Sequence, residues 1–195
     1  MTARPLYLDV ETDGFGGFRP PKQRLVQVAW ILAGTAHEAR REECYFVRDV
    51  GPINPAVPHT ITPERCAVEG VSFEEIAAAL LDAVRKADVI VAHNAAFDIG
   101  TILNEIQVRA ADCCSVDVAA LRSALGAART LCTVRAAVDV CRIPRPGGGG
   151  RFKFPTLSEL HTTLFGYPPA EQLHDALADC RVTERCVRAL KASEL

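Results

Sequence analysis

Hydrophobic and polar positions along the chain predict an α/β protein whose strands come before most of its helices. Five apolar runs bounded by turn residues predict strands: Leu6 to Glu11, Arg24 to Leu32, Glu43 to Val47, Ala87 to Ala92 and Thr130 to Val134. The first three follow one another through short turns, which is typical of an antiparallel meander. The last two alternate with helical segments, which is typical of parallel pairing. Together they predict a mixed five-stranded sheet.

Apolar residues spaced three and four positions apart predict the helices. Ser72 followed by Glu75 is a capping box that opens a helix to about Ala87. The other predicted helices are a short one after Thr62-Pro63, Ala96 to Ala110, Val116 to Leu125, one ending near Arg142, Thr156 to Phe165 and His174 to Leu190. We expect them to pack on both faces of the sheet, in a single domain over residues 1–195.

Composition limits the classes of function. The chain has 195 residues, of which 49% are hydrophobic and 24% charged, so it can bury a core. Its net charge of -2 carries no overall signal for a nucleic acid or a membrane. No apolar run approaches the length of a membrane span, and the N-terminus has no signal-like segment, so we expect a soluble cytoplasmic protein with no membrane partner. The eight cysteines lack C-x-x-C spacing, which favours buried reduced thiols over disulfides or zinc.

Two carboxylates mark the end of the first strand. Asp9 and Glu11 lie two positions apart, so they project from the same face of the strand. Such close carboxylates beside an apolar core repel each other unless a cation lies between them. Hard oxygen ligands of this kind suit magnesium or manganese. An ordinary polar turn after a strand is the alternative for this pair taken alone.

Two further aspartates lie next to apolar residues later in the chain. Asp98 follows the fourth predicted strand in A-H-N-A-A-F-D-I-G, and Asp179 lies in the apolar segment L-H-D-A-L-A-D-C, five positions after His174. Taken singly, Asp98 fits a helix N-terminal charge and Asp179 a surface position. The joint pattern of D-x-E, H-N-x-x-F-D and H-x-x-x-x-D resembles the DEDDh family of 3′-to-5′ exonucleases, which have a ribonuclease-H-like fold. The segments H-T-I-T, Cys132-Thr133 and F-P-T-L-S-E-L-H are also similar to that family.

The resemblance implies a catalytic set. Asp9, Glu11, Asp98 and Asp179 would bind two divalent ions, Mg²⁺ or Mn²⁺, which clamp the attacking and leaving oxygens of a phosphodiester. His174 would be the general base, since the ordinary pKa of histidine lies near the operating pH.

The resemblance also implies contacts to the substrate. Thr12 would meet the terminal nucleotide, Asn94 and Phe97 the penultimate one, and His59 and Ile61 would line the base pocket. Basic residues are candidates for steering phosphate, with a solvated surface as the alternative: Arg19, Lys22, Arg24 and the loop from Arg142 to Lys153 that contains Gly147 to Gly150.

The sequence therefore predicts a 3′-to-5′ exonuclease acting on single-stranded DNA ends and releasing nucleoside 5′-monophosphates. A DNA polymerase or another replication or repair protein is a possible partner, in proofreading or repair. Two alternatives stay open. One is an RNA trimmer similar to RNase T or oligoribonuclease, and the other is a noncatalytic accessory module of a polymerase. The intact catalytic set argues against the second.

Overall fold

A computed structural model describes residues 3–15, 23–110, 115–147 and 151–192, with the side chains of 191 and 192 left out. It contains one mixed sheet with strand order β3-β2-β1-β4-β5. The strands are β1 Pro5–Thr12, β2 Leu25–Leu32, β3 Arg41–Phe46, β4 Val89–Ala92 and β5 Thr130–Cys132. β1 pairs antiparallel with β2, and β2 with β3, whereas β4 runs parallel to both β1 and β5. The predicted meander and mixed sheet are confirmed.

The helices follow the predicted order. They are α1 Pro63–Glu69, α2 Phe73–Lys86, α3 Ala95–Arg109, α4 Val116–Ala127, α5 Thr133–Ala136, α6 Val138–Cys141, α7 Leu157–Phe165 and α8 Ala176–Ala192. The capping box of Ser72 and Glu75 is present at the start of α2, and Thr156 with Glu159 forms a second one at α7. Both boxes satisfy amide groups that the first turn of a helix leaves without partners.

Helices cover both faces of the sheet, as predicted. Leu6, Leu8 and Val10 of β1 point to the main core, which α2, α3 and α4 cover. Tyr7 points to the opposite face and packs in a second cluster against Cys180 of α8. Because side chains alternate along a strand, Asp9 and Glu11 share the face of Tyr7, toward α8. Since β1 and β4 are parallel, their carboxyl ends lie at the same edge of the sheet.

The structure departs from the predicted helices in two places. The last helix begins at Ala176 rather than His174, because Asp175 accepts a hydrogen bond from the Ala178 amide at 3.0 Å and ends the preceding loop as an N-cap does. His174 has a positive φ of 68° and lies in that loop. The helix predicted to end near Arg142 is two short helices, α5 and α6, that meet at Ala137.

The described cysteines are free thiols, as predicted, but they are not all buried. Cys66, Cys180 and Cys186 are buried, whereas Cys44 is exposed on the edge strand β3. Cys113 and Cys114 lie outside the described residues. Among the described residues, no helix combines the length and the apolar character that a membrane crossing requires.

Candidate active site

A pocket with a volume of about 630 Å³ opens at the edge of the sheet where β1 and β4 end. Its walls carry four carboxylates from three segments that are distant in sequence. They are Asp9, Glu11, Asp98 and Asp179. We call this cavity the acidic pocket. His174 lines it too, so the structure brings together all five predicted catalytic residues.

The two carboxylates of β1 lie in a setting that opposes their ionisation. Glu11 is only 9% exposed, and burial, together with the charges of Asp179 and Asp175, raises its pKa to about 8. Burial and the neighbouring Asp98 likewise raise the pKa of Asp9 well above its ordinary value. Without positive charge nearby, this setting favours the protonated form of both groups.

Asp98 enters the acidic pocket from the first turn of α3. Asn94 precedes that helix in the left-handed region, with φ of 97°, which turns the chain sharply out of β4. Asp98 is 2% exposed, and its Oδ2 has no hydrogen-bond partner. A carboxylate oxygen buried without a partner is costly, so this oxygen is placed to accept a ligand.

Asp179 comes from the first turn of α8, and His174 comes from the loop before it. Ligand atoms of Glu11, His174 and Asp179 all lie within 4.8 Å of one another. Asp179 Oδ1 is buried without a hydrogen-bond partner. Burial is the main cause that raises the pKa of Asp179, to about 7, with the Asp175 charge adding to it and the His174 backbone amide opposing it.

His174 is exposed at the mouth of the acidic pocket. Partial burial and the nearby His59 lower the pKa of its imidazole below the ordinary value. A lowered pKa keeps the ring neutral at physiological pH, which leaves a nitrogen free to accept a proton.

A buried glutamine fixes the turn that carries His174, and it was not identified from the sequence. Gln27 of β2 is 1% exposed and lies opposite Glu11 in the strand register. Its Oε1 accepts from the Ala176 amide at 3.0 Å, and its Nε2 donates to Asp175 Oδ2 at 3.2 Å. The glutamine therefore fixes the turn between His174 and α8. The available signal was one polar residue within the apolar run L-V-Q-V-A-W.

The donor set fits divalent metal ions. The four carboxylates of the acidic pocket supply hard oxygen ligands, and two of their oxygens lack any protein partner although they are buried. Burial is the main cause that raises the pKa of each of them, and neighbouring carboxylates add to it; bound cations would oppose both effects. These four residues are therefore the ones that would hold metal.

Most of the predicted substrate contacts lie in the acidic pocket or in a smaller cavity beside it. Asn94 and Phe97 line the acidic pocket. Phe97 also lines a smaller adjoining cavity of about 210 Å³, together with Thr12, Phe15 and His59. We call it the terminal cavity. Ile61 does not reach either cavity, since it is buried against Val26 and Cys66.

His59 shapes the terminal cavity through its hydrogen bonds. Its Nδ1 accepts from the Ile61 amide at 3.3 Å, so its Nε2 carries the proton and donates to the Thr12 carbonyl at 2.8 Å. The Thr12 hydroxyl donates in turn to the Gly14 carbonyl. Thus Ile61 acts on the cavity only by orienting His59.

His93 links two segments that line the acidic pocket. The Nδ1 of this ring lies 2.9 Å from Thr133 Oγ1, and its Nε2 lies 3.1 Å from the Pro155 carbonyl. It therefore joins the start of α5 to the segment before α7, which carries Phe154 into the lining of the pocket. His161 of α7 is buried, and its Nδ1 lies 2.9 Å from the Tyr167 carbonyl.

Several basic residues differ from their predicted role in steering phosphate. Arg24 is engaged by Glu105, a fully buried carboxylate that accepts two hydrogen bonds of 2.8 Å from its guanidinium, so it is not free for phosphate. Lys153 pairs with Glu159. Arg19 and Lys22 lie outside the described residues, as do Gly148 to Gly150 of the basic loop. Sequence reasoning missed Arg135, which lines the acidic pocket.

The mixed five-stranded sheet and the carboxylates at the ends of its parallel strands define the class: metal-binding nucleases of ribonuclease-H-like fold. The model of the RNase_T exonuclease family matches residues 6–186. The chain therefore belongs to the exonuclease family, as a 3′-to-5′ exonuclease domain of the DEDDh type. The sequence has no match among curated proteins.

Solved structures share this fold at low sequence identity. Cell-death related nuclease 4 (CRN-4) superimposes with a TM-score of 0.67 at 12% identity, over 98% of this chain and 64% of that one. A chain in the structure of the yeast NOT1 MIF4G domain co-crystallised with CAF1 superimposes with a TM-score of 0.59 at 11% identity, over 97% of this chain and 80% of that one. The Pan2 catalytic unit of Neurospora crassa, with protease and nuclease domains, superimposes with a TM-score of 0.57 at 11% identity, over 97% of this chain and 27% of that one. The chain thus spans less than two thirds of the CRN-4 structure.

Proposed function

We propose that this protein removes nucleoside 5′-monophosphates one at a time from the 3′ ends of single-stranded DNA, as one domain over residues 1–195. The observation that carries the proposal is the convergence of Asp9, Glu11, Asp98 and Asp179 on one pocket, with two partnerless buried oxygens and His174 at its mouth. Membership of the exonuclease family supports the hydrolytic reaction.

The four carboxylates would hold two divalent ions, Mg²⁺ or Mn²⁺. Bound there, such ions supply Lewis-acid activation of water and stabilise charge on the phosphate and leaving oxygens. His174 accepts the proton of the attacking water, and its lowered pKa favours the neutral ring that this role requires. The Asp179 carboxylate accepts from the His174 backbone amide and so ties the base to the ligand set.

The terminal cavity would receive the last nucleotide of the strand. Thr12 and His59 line it, and Phe97 lines both this cavity and the acidic pocket, where a ring can support the stacked bases. Backbone contacts and stacking accept any base, which an exonuclease requires. Asn94 in the acidic pocket would hold the penultimate nucleotide.

DNA is proposed over RNA because the sequence motifs are similar to those of proofreading-type exonucleases. A polymerase or another replication or repair protein is the proposed partner on the same ground. A site that contacts the 2′-hydroxyl would instead favour RNA. The test therefore compares DNA and RNA substrates.

A gel time course tests the proposal. The substrates are 5′-labelled DNA and RNA oligomers of one sequence, each with Mg²⁺, Mn²⁺ or excess chelator. We expect a ladder that shortens from the 3′ end with metal, faster on DNA, and none with chelator or with Asp9→Ala. If RNA is degraded faster than DNA, RNA is the substrate and the proposal for DNA is wrong. No cleavage of either by folded protein with metal would instead support the noncatalytic accessory module.

A further inference from the structure

The acidic pocket has one cationic side chain among its described lining residues. Arg135 of α5 lines the pocket beside Asn94 and Cys132, and it is exposed. Across the described part of the chain, no carboxylate lies within ion-pair distance of its guanidinium, whereas Arg24 and Lys153 are paired. The positive charge of Arg135 is therefore available to a ligand of the pocket.

Arg135 also lines a second groove, between α3 and β5, with a volume of about 700 Å³. The two cavities share Asn94, Cys132 and Arg135, so the groove continues from the acidic pocket. The terminal cavity adjoins the same pocket through Val10, Glu11 and Phe97. A strand whose 3′ end occupies the terminal cavity therefore has a path out of the acidic pocket past Arg135.

Phe154 is an aromatic residue held in an exposed position. Its side chain is 59% exposed although it lines the acidic pocket. The segment around it is fixed: the Lys153 amide donates to the Ile143 carbonyl at 2.8 Å, and the Pro155 carbonyl lies 3.1 Å from His93 Nε2. The ring is exposed to solvent, and hydrogen bonds already hold its backbone. It can therefore stack on a base with little further loss of conformational freedom.

The same histidine places both residues on one side of the pocket. His93 contacts Thr133, two positions before Arg135, and Pro155, directly after Phe154. We propose that Arg135 and Phe154 form a binding site for the nucleotides on the 5′ side of the scissile bond. The guanidinium binds a backbone phosphate, and the ring stacks on a base. This inference rests on the proposed function and extends it to the body of the strand.

Such a site makes strand binding depend on length and on salt. A substrate with a single nucleotide occupies the terminal cavity and the carboxylate side of the acidic pocket, and it does not extend to the side that carries Arg135 and Phe154. A longer strand gains one charge contact and one stacking contact. The phosphate contact weakens as salt rises, because binding a phosphate to a cation releases counterions, whereas stacking responds less to salt.

The test compares two substrates in the presence of Mg²⁺. One is the p-nitrophenyl ester of thymidine 5′-monophosphate, and the other is a single-stranded oligomer of about ten nucleotides, long enough to span the site. We expect Arg135→Ala and Phe154→Ala each to raise KM for the oligomer about tenfold, the scale of one lost stacking or phosphate contact. Their hydrolysis of the ester stays equal to that of the wild type. Arg135→Ala also lowers the slope of log KM against log salt by about 0.7, and Phe154→Ala leaves it unchanged.

Matched controls use the same residue types nearby. Arg129 is exposed at the opposite end of β5, away from the acidic pocket, and Phe152 lies two positions before Phe154 without lining that pocket. Arg129→Ala and Phe152→Ala should leave KM for both substrates unchanged. Equal KM for the oligomer in all four variants overturns the site, as does an equal loss on ester and oligomer. If the wild type hydrolyses neither substrate, the proposed function itself has failed.

Discussion

Replacing Asp179 with asparagine removes one charge from the acidic pocket and nearly preserves the shape of the side chain. In the metal-free protein, that carboxylate lies close to Glu11, and its Oδ1 is buried without a partner. The amide of Asp179→Asn keeps an oxygen for the His174 backbone amide and offers Glu11 a donor. We therefore expect this variant to be inactive and, in chelator at alkaline pH, more stable than the wild type.

The size of the gain follows from the pKa of Asp179, which is raised from 3.8 to about 7 in the folded protein. A raised pKa means that the folded state binds the proton more tightly than the unfolded state. Wild-type stability therefore falls as pH rises from about 4 to 7, and the full penalty is present above pH 7. At 1.36 kcal/mol per pH unit, that penalty is about 4 kcal/mol, or about 10 °C in Tm for a domain of this size.

Thermal unfolding of both proteins in excess chelator, at pH 5 and pH 8.5, measures this penalty. The variant should exceed the wild type in Tm by far more at pH 8.5 than at pH 5. Mg²⁺ should then raise the Tm of the wild type more than that of the variant, because ligands stabilise the state that binds them. Asp139→Asn is the control, since Asp139 is exposed in the first turn of α6. A Tm difference that is the same at both pH values would falsify the electrostatic explanation.

Two further predictions concern His174 and its support. His174→Ala should keep the Mg²⁺-induced rise in Tm but lose about 10²- to 10⁴-fold in kcat, together with the acidic limb of the pH-rate profile; an unchanged profile removes it as the base. Gln27→Leu loses the hydrogen bonds to Asp175 and Ala176 and should reduce kcat with little change in KM for the ester, because it loosens the turn that carries His174. A variant that instead loses only stability, with kcat intact when folded, would make Gln27 a purely structural residue.

Three of the four carboxylates follow the ends of predicted strands, which predicts where they lie, whereas Asp179 was predicted from the family motif alone. Asp9 and Glu11 end an apolar strand, where a period of two decides the face that they share. Asp98 follows the next parallel strand, and parallel strands bring their carboxyl ends to one edge. The structure brings these residues together with Asp179, as the family motif implied.

The misses arose where a residue's partner is distant in sequence. Gln27 was visible as a polar residue in an apolar run, but its bonds are to residues about 150 positions later. Arg24 was a candidate for steering phosphate, with a solvated surface as the alternative, although Glu105 lies on the apolar side of α3 between Ile102 and Ile106 and is fully buried. The start of α8 was placed two residues early because Asp175 was not recognised as the capping residue.

The order of the site along the chain has a consequence during protein synthesis. Every strand and the residues Asp9, Glu11 and Asp98 leave the ribosome before His174 and Asp179. The helix that brings these last two also covers the second face of the sheet, where it packs on Tyr7 and Ala29. A chain arrested before α8 therefore lacks Asp179 while that face is still uncovered. The residues proposed for catalysis and the cover of that face are therefore completed in the same step of synthesis.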